Sequence, residues 1–377
     1  MENQQFKQNL ILAIDTSCDE TSVAVVKGNR VLSNLFPSQI ELHKKYGGVV
    51  PSIAKLAHQE RIDSVVIEAL KRAKTQPEDL DAIAVTKGPG LSIALEVGIK
   101  KAKELAEKYN KPLVAVNHME GHLLSGLVER NTKSKISNIQ FPSLGVLVSG
   151  KHTEIVIVDG IGKYKTIGET QDDACGECFD KCGRMLGLGY PAGPAISKFA
   201  KEHRKSIKLE IVHKNTSTLV KGTNIKSGKD YLLPIAMANS GDLNFSYSGL
   251  KTAFRDLVNK IGEQNLNSEI IKDLCVTFEH AALMQIIYKL KPAIKKYQPK
   301  EILLGGGVVA SPRLRSLVRS LVKGQNIEIR NPFSNKITGD NAAMIGVAAN
   351  FQINENRGVY SDPKSFDQID REPNLTF

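Results

Sequence analysis

The 377-residue sequence predicts an α/β fold of two related lobes, each with a mixed sheet, and a ligand cleft between them. Three observations carry this. Apolar, β-favouring runs alternate with helical patterns along most of the chain. A strand, polar turn and strand at the amino terminus recur as a pattern near residue 143. The composition, 41% hydrophobic and 24% charged, is that of a chain with sizeable cores and excludes a disordered or collagen-like protein.

Taken in order, residues 10–14 and 21–27 read as strands around the polar turn Asp15-Thr16-Ser17-Cys18-Asp19-Glu20. Residues 52–72 have helical apolar spacing. Residues 82–85 form a short buried strand that runs into Lys87-Gly88-Pro89-Gly90, a turn able to open a helix. Residues 92–109 read as an amphipathic helix stopped by Asn110-Lys111-Pro112, and 113–116 as the next strand. The pattern then restarts with strands at 144–148 and 153–158 around Ser149-Gly150-Lys151-His152. A long helix is expected over 268–297, a strand over 301–304, then Gly305-Gly306-Gly307 and a helix from about Ser311. Residues 340–351 form a small-residue helix, and the sequence after Ile353 reads as a polar tail. Residues 198–230 read as a long insertion or mobile loop. The expected organisation is a first lobe of 1–116 with return of a helix at 337–353, a second lobe of 117–336 containing the 198–230 insertion, and a tail of 354–377.

The formal net charge is +11, and it is clustered. Residues 198–230 hold nine Lys/Arg against three acids, and residues 313–330 hold five against one. A polyanion partner fits that clustering; a solvated basic loop and helix face fit it too. No apolar run approaches the ~18 residues of a membrane span, and no signal-peptide core or Arg-rich leader is evident, so the expected address is the cytoplasm. Five cysteines in so long a chain do not make a disulfide framework. Cys175, Cys178 and Cys182 share one helical face and could ligate a metal, but a fourth ligand is not obvious; ordinary buried packing is the competing reading.

His118-Met119-Glu120-Gly121-His122 places two imidazoles on one helical face, able to share a metal. A zinc protease needs Glu directly after the first His, where Met119 stands, so that reading is poor. Asp340, in Thr338-Gly339-Asp340-Asn341, is the best third ligand; a helix N-cap is its bland alternative. The turns at 15–21 and 147–153 offer backbone N–H groups and hydroxyls to phosphate, and Gly305-Gly306-Gly307 lets a backbone approach a ligand closely. In this order along one chain, the three match the loops of two-lobed nucleotide-binding proteins.

Taken together these residues resemble the tRNA N6-adenosine threonylcarbamoyltransferase family, once misnamed sialoglycoprotein endopeptidases. The resemblance runs from Ile11 to about Gln352. It rests on Ile14-Asp15-Thr16-Ser17-Cys18-Asp19-Glu20-Thr21, Tyr46-Gly47-Gly48-Val49-Val50-Pro51, the His118 to His122 stretch, Leu147-Val148-Ser149-Gly150, Phe179-Asp180-Lys181, Phe245-Ser246-Tyr247-Ser248-Gly249-Leu250-Lys251-Thr252 and Asp340-Asn341-Ala342-Ala343-Met344. It implies an actin-like fold, shared with sugar kinases and heat-shock chaperones, of two ribonuclease-H-like lobes. The implied reaction moves threonylcarbamoyl from threonylcarbamoyl-AMP to the N6 amine of the adenosine beside the anticodon, in tRNAs reading codons that start with A. His118, His122 and Asp340 fall on the family's metal ligands, implying one divalent ion, iron(2+) or zinc. Leu147, Val148, Ser149, Gly150, Lys151, Asp180, Gly193 and Ser311 fall on its adenylate-binding positions. Lys151 and Ala192 stand where the family has glycines, and Ser311 where it has Asn. The implied partners are tRNA and either an inactive paralogous subunit with a small ATPase, or a second copy in a homodimer; no membrane is implied. Asp19 and Glu20 are the expected groups for polarising the amine, with turn-stabilising carboxylates as the alternative reading. The competing functions are an ATPase or kinase of the same fold and a non-catalytic scaffold of the same tRNA-modifying complex.

Overall fold

The computed structural model describes residues 7–129, 139–214 and 217–377. Residues 1–6 of the polar amino terminus, and 215–216 within the basic segment, lie outside the described residues. Runs of Ile, Val and Ala make β1 (Leu10–Asp15) and β2 (Ser22–Lys27) buried on both faces; β3 (Arg30–Leu35) continues them as an antiparallel meander. After α1 (Ile40–His43) and α2 (Pro51–Ala73) the chain adds β4 (Ala82–Gly88), α3 (Ser92–Lys108) and β5 (Leu113–Asn117), in the parallel order β1-β4-β5. Helices on both faces explain strands that are apolar throughout rather than alternating.

α4 (His118–Leu124) leaves the end of β5 and leads to the second sheet. There β6 (Ser143–Val148), β7 (Thr153–Gly160) and β8 (Lys163–Glu169) repeat the meander. α5 (Cys175–Met185) and α6 (Gly193–His203) follow, then β9 (Ile207–Lys214), β10 (Ser217–Asn224) and β11 (Asp230–Pro234). α7 (Ser248–Ile261) and α8 (Ser268–Tyr297) precede β12 (Glu301–Gly305), α9 (Pro312–Leu321) and β13 (Glu328–Arg330). The second sheet has the order β13-β12-β6-β7-β8, with β12 parallel to β6 and to β13. α10 (Ala342–Asn354) returns to pack its apolar length against the face of the first sheet opposite α2 and α3, and β14 (Val359–Tyr360) extends that sheet beyond β5.

Two expectations need correction. The described residues of 198–230 are not a loop: they hold the end of α6, β9 and β10, which with β11 form a three-stranded antiparallel sheet in the order β11-β10-β9. Its inner face lies on α8 so closely that a Cβ at Gly222 would stand 2.1 Å from Thr277 Oγ1. Part of the positive charge is neutralised within the sheet, with Lys208 at 2.6 Å from Glu210 and Lys221 at 2.9 Å from Asp230. The polar tail is also ordered. Phe366 and Ile369 are buried in the first core, Glu372 N–H donates to Lys87 O at 2.7 Å, and Gly90 N–H donates to Pro373 O at 3.1 Å. No helix among the described residues is long and apolar enough to cross a membrane.

Candidate functional site

α4 is wholly buried, which is why its seven residues carry two histidines and four residues with apolar or no side chains. Asn117 opens it by accepting the Met119 N–H at 2.8 Å. The His118 and His122 rings meet edge to face with centroids 4.6 Å apart. Opposite them, Asp340 sits one residue before Asn341, which is the cap of α10. Asp340 is therefore free of capping duty, and its Oδ1 lies 3.4 Å from His118 Nε2 and 3.1 Å from His122 Nε2. The three ligand atoms lie within 4.8 Å of one another. A residue that motif reading took only as part of a turn completes the group: Asp15, at the end of β1, faces His118 Nδ1 with its Oδ2 at 3.4 Å.

Two imidazoles and a carboxylate, buried and converging, are a donor set that fits a divalent transition ion. A carboxylate behind a ligating histidine fixes its tautomer and orientation. The electrostatics agree. Burial favours the neutral ring of His118, yet Asp15 and Asp340 outweigh it and raise the group to about 10. The two carboxylates favour positive charge at this point of the cleft. His122, by contrast, is lowered by burial and by the neighbouring His118 charge.

The triad borders a cleft of about 620 Å³ whose lining includes two of its three residues. Asp19, Glu20, Ser149, Gly150, Lys151 and Asp180 all line it, as do His118 and Asp340. Ser149 Oγ accepts the N–H groups of Lys151 at 3.3 Å and His152 at 3.1 Å, which holds the β6–β7 turn open toward the cleft. Among the described residues the Lys151 ammonium makes no ion pair. Asp180 Oδ1 accepts the Ala192 and Gly193 N–H groups at 2.8 and 3.1 Å, tying α5 to the start of α6. Burial and the nearby Asp19 charge push Glu20 well above the usual carboxylate range. Cys18 also lines the cleft, but burial raises its thiol well above the ordinary value, so no thiolate nucleophile is available at neutral pH.

Not every expected residue faces the cleft. Leu147 and Val148 are buried among core side chains, so only their backbone borders the site. Gly306 makes that possible: at φ +93° it passes Val148 O so tightly that a Cβ would stand at 2.4 Å. Gly193 and Ser311 line an adjoining slot of about 440 Å³ rather than the cleft itself. Ala192 does not narrow either space, because its methyl packs against Gly183 of α5. Cys175, Cys178 and Cys182 lie in the second core, Cys178 Sγ 3.9 Å from Cys182 Sγ, and no cysteine joins a metal-binding group among the described residues.

The motif alone gives Glu120 no role. It is buried and accepts from Tyr164 Oη at 2.9 Å, Gln352 Nε2 at 2.9 Å and Arg357 Nη2 at 2.8 Å. It thereby ties α4 to β8 and α10.

This fold and site define a two-lobed actin-like α/β protein with a buried His-His-Asp centre in its cleft. Solved structures of HypF agree on the fold: the full-length protein in its phosphate- and nucleotide-bound form matches with a TM-score of 0.52 at 13% identity, over 93% of this chain and 47% of that one. The protein from T. kodakarensis matches with a TM-score of 0.53 at 13% identity, over 95% and 49%. Sequence resolves the family within that class. The family model for tRNA N6-adenosine threonylcarbamoyltransferase matches residues 30–347. A protein of that name from Lactococcus lactis subsp. cremoris (strain SK11) is 39% identical over 98% of this chain and 99% of its own length. One from Streptococcus pneumoniae serotype 2 is 40% identical over 98% of both. The chain belongs to the tRNA N6-adenosine threonylcarbamoyltransferase family and is a tRNA-modifying transferase.

Proposed function

We propose that this chain transfers threonylcarbamoyl from threonylcarbamoyl-AMP to the N6 amine of the adenosine adjacent to the anticodon, in tRNAs reading codons that start with A, with the help of one iron(2+) or zinc ion. The observation that carries the reading is the His118–His122–Asp340 convergence beside a cleft that shares Gly150, Asp180, Pro191 and Gly307 with an adjoining slot. His118, His122 and Asp340 would hold the ion, which when bound supplies Lewis-acid polarisation of the donor's oxygens.

The chain's own residues do the rest. The donor is a mixed anhydride, so its carbonyl is already activated and much of the rate comes from positioning the weakly nucleophilic amine. Backbone N–H groups of the β6–β7 turn, with Lys151, receive the phosphate. Asp180 binds the ribose hydroxyls. Burial and the neighbouring Asp19 charge favour a protonated Glu20, and Asp19 beside it is the acceptor for the amine's proton. tRNA approaches as a polyanion, drawn by the exposed lysines around β9 to β11.

The test is nucleoside mass spectrometry of unmodified tRNA incubated with the protein, iron or zinc, and threonylcarbamoyl-AMP. It is run with and without an inactive paralogous subunit and a small ATPase. Threonylcarbamoyladenosine formed only when this chain is present supports the reading. None formed under either condition, with metal bound, overturns it in favour of a scaffold role.

A further inference from the structure

The slot beside the cleft ends on a buried layer to which no role has been assigned. Its walls are flat and apolar, with Phe179, Pro194 and Val308 among them. Beside Asp180 and Asn335, its polar groups include the hydroxyls of Ser197, on α6, and Ser311, the cap of α9. Both lead to one carboxylate. Ser311 Oγ stands 3.5 Å from Glu279 Oε1; burial pushes the same carboxyl up, and Arg204 and Ser197 beside it favour its ionised form. Glu279 lies inside α8, is 1% exposed, and is ion-paired with Arg204.

We propose that Glu279 makes this slot selective for a purine with a 6-amino group, acting through Ser197 and Ser311. The argument is one of hydrogen-bond polarity. An ionised carboxylate only accepts, so each hydroxyl must give its single proton to Glu279. Each then presents lone pairs to the slot. Ser311 Oγ also accepts the Leu314 N–H at 3.4 Å, which holds its side chain in the capping orientation. An edge made of acceptors complements the N6 amino group of adenine and opposes the O6 carbonyl of hypoxanthine or guanine. A site whose buried polar groups must be matched discriminates far better than an apolar wall does. Glu279 touches no ligand itself and is a specificity-determining, positioning residue.

The proposal rests on the reading that the slot takes the base of an adenylate, and the experiment separates the two. Titration calorimetry of the full chain with AMP and with IMP gives the ratio of affinities. The wild type should prefer AMP by about tenfold or more, one mismatched buried hydrogen bond. Glu279→Gln should bring the ratio toward one, because an amide can donate and turn a serine hydroxyl around. Ser311→Ala and Ser197→Ala should each weaken AMP and narrow the ratio; they keep the proposal testable if Glu279→Gln does not fold, which thermal melting reports. Equal binding of AMP and IMP by the wild type overturns the proposal and leaves the adenylate reading standing. An unchanged ratio in folded Glu279→Gln also overturns it. If the wild type binds neither nucleotide, the adenylate reading fails and the proposal with it.

Discussion

Glu120 lies between the two histidines of the candidate metal site and faces away from them. Its carboxylate gathers Tyr164 from β8, Gln352 from α10 and Arg357 just beyond. Glu120→Ala would leave three donors around a buried void. Hydrogen bonds to a charged group contribute about 1.5–3 kcal/mol each, and breaking a buried ion pair costs about 3–5 kcal/mol. The Arg357 side chain is 34% exposed, so water recovers part of its loss. The net expectation is a destabilisation of roughly 3–5 kcal/mol for Ala. Glu120→Gln keeps the shape but turns an amide N–H₂ toward donors, and should cost roughly 1–3 kcal/mol. Because α4 is packed on α10 through this contact, both changes loosen His118 and His122 relative to Asp340. Metal affinity should fall by about ten- to a hundredfold, as for other supporting residues of metal sites. Chemical denaturation and titration with zinc against a chelator measure the two effects. Wild-type stability and wild-type zinc affinity in both variants would refute the reasoning.

Other expectations follow from the same geometry. His118→Ala should lose metal retention and transfer while keeping the fold, read by metal analysis and circular dichroism. Transfer by a metal-free His118→Ala protein would refute the metal assignment. His118 is raised to about 10, so in the metal-free protein its contribution to stability is full below about 6.5 and is lost as pH rises through 10; that dependence should vanish in the variant. His280 behaves oppositely: burial first, then Arg313 and Arg204, lower it to about 3. The unfolded chain binds a proton between pH 6.5 and 3 that the folded chain refuses, so stability is full above 6.5 and falls toward pH 3, by at most about 1.4 kcal/mol per pH unit. His280→Gln should flatten melting temperature over that window. Neutralising the exposed Lys201, Lys205, Lys214, Lys226 and Lys229 should weaken tRNA binding about tenfold or more and reduce its salt slope, whereas Lys208 and Lys221, already paired with acids, should matter less. Unchanged binding in a filter assay would make the small sheet a solvated appendage.

How far the sequence announces this molecule differs by element. α8 can be read to its first residue because Asn267 is a strong cap, accepting the N–H groups of Glu269 and Ile270 at 3.0 Å each. The apolar strands β1, β4 and β6 are as plain. β9 is less so: Ile207, Leu209 and Ile211 alternate with Lys208 and Glu210, but the charge density of 198–230 hides a half-buried strand behind the look of a loop. The His-His-Asp triad is visible as two short motifs. Asp15 is not, since a strand-end carboxylate resembles any turn opener until β1 is laid beside α4. Nor is Glu279, whose partners Ser311 and Arg204 lie 32 and 75 residues away. Local spacing reveals ligands that share a helix, and it is silent about groups that meet only through the tertiary fold.

The contact between His122 and Asp340 spans 218 residues, and the segment that props the cleft loop at Gly90 comes later still. On the ribosome, the first sheet can begin to collapse as soon as β5 emerges, since its β1–β5 core is local. The His-His-Asp centre cannot. Until Asp340 is synthesised and α10 has docked, α4 offers two histidines with no third ligand, and the face of the first sheet that α10 will cover is bare. A prematurely terminated chain would therefore carry half a site and an exposed apolar sheet, a substrate for quality control rather than a partly active enzyme. Closing so long a loop is also slow, which makes assembly of the centre one of the last events of folding.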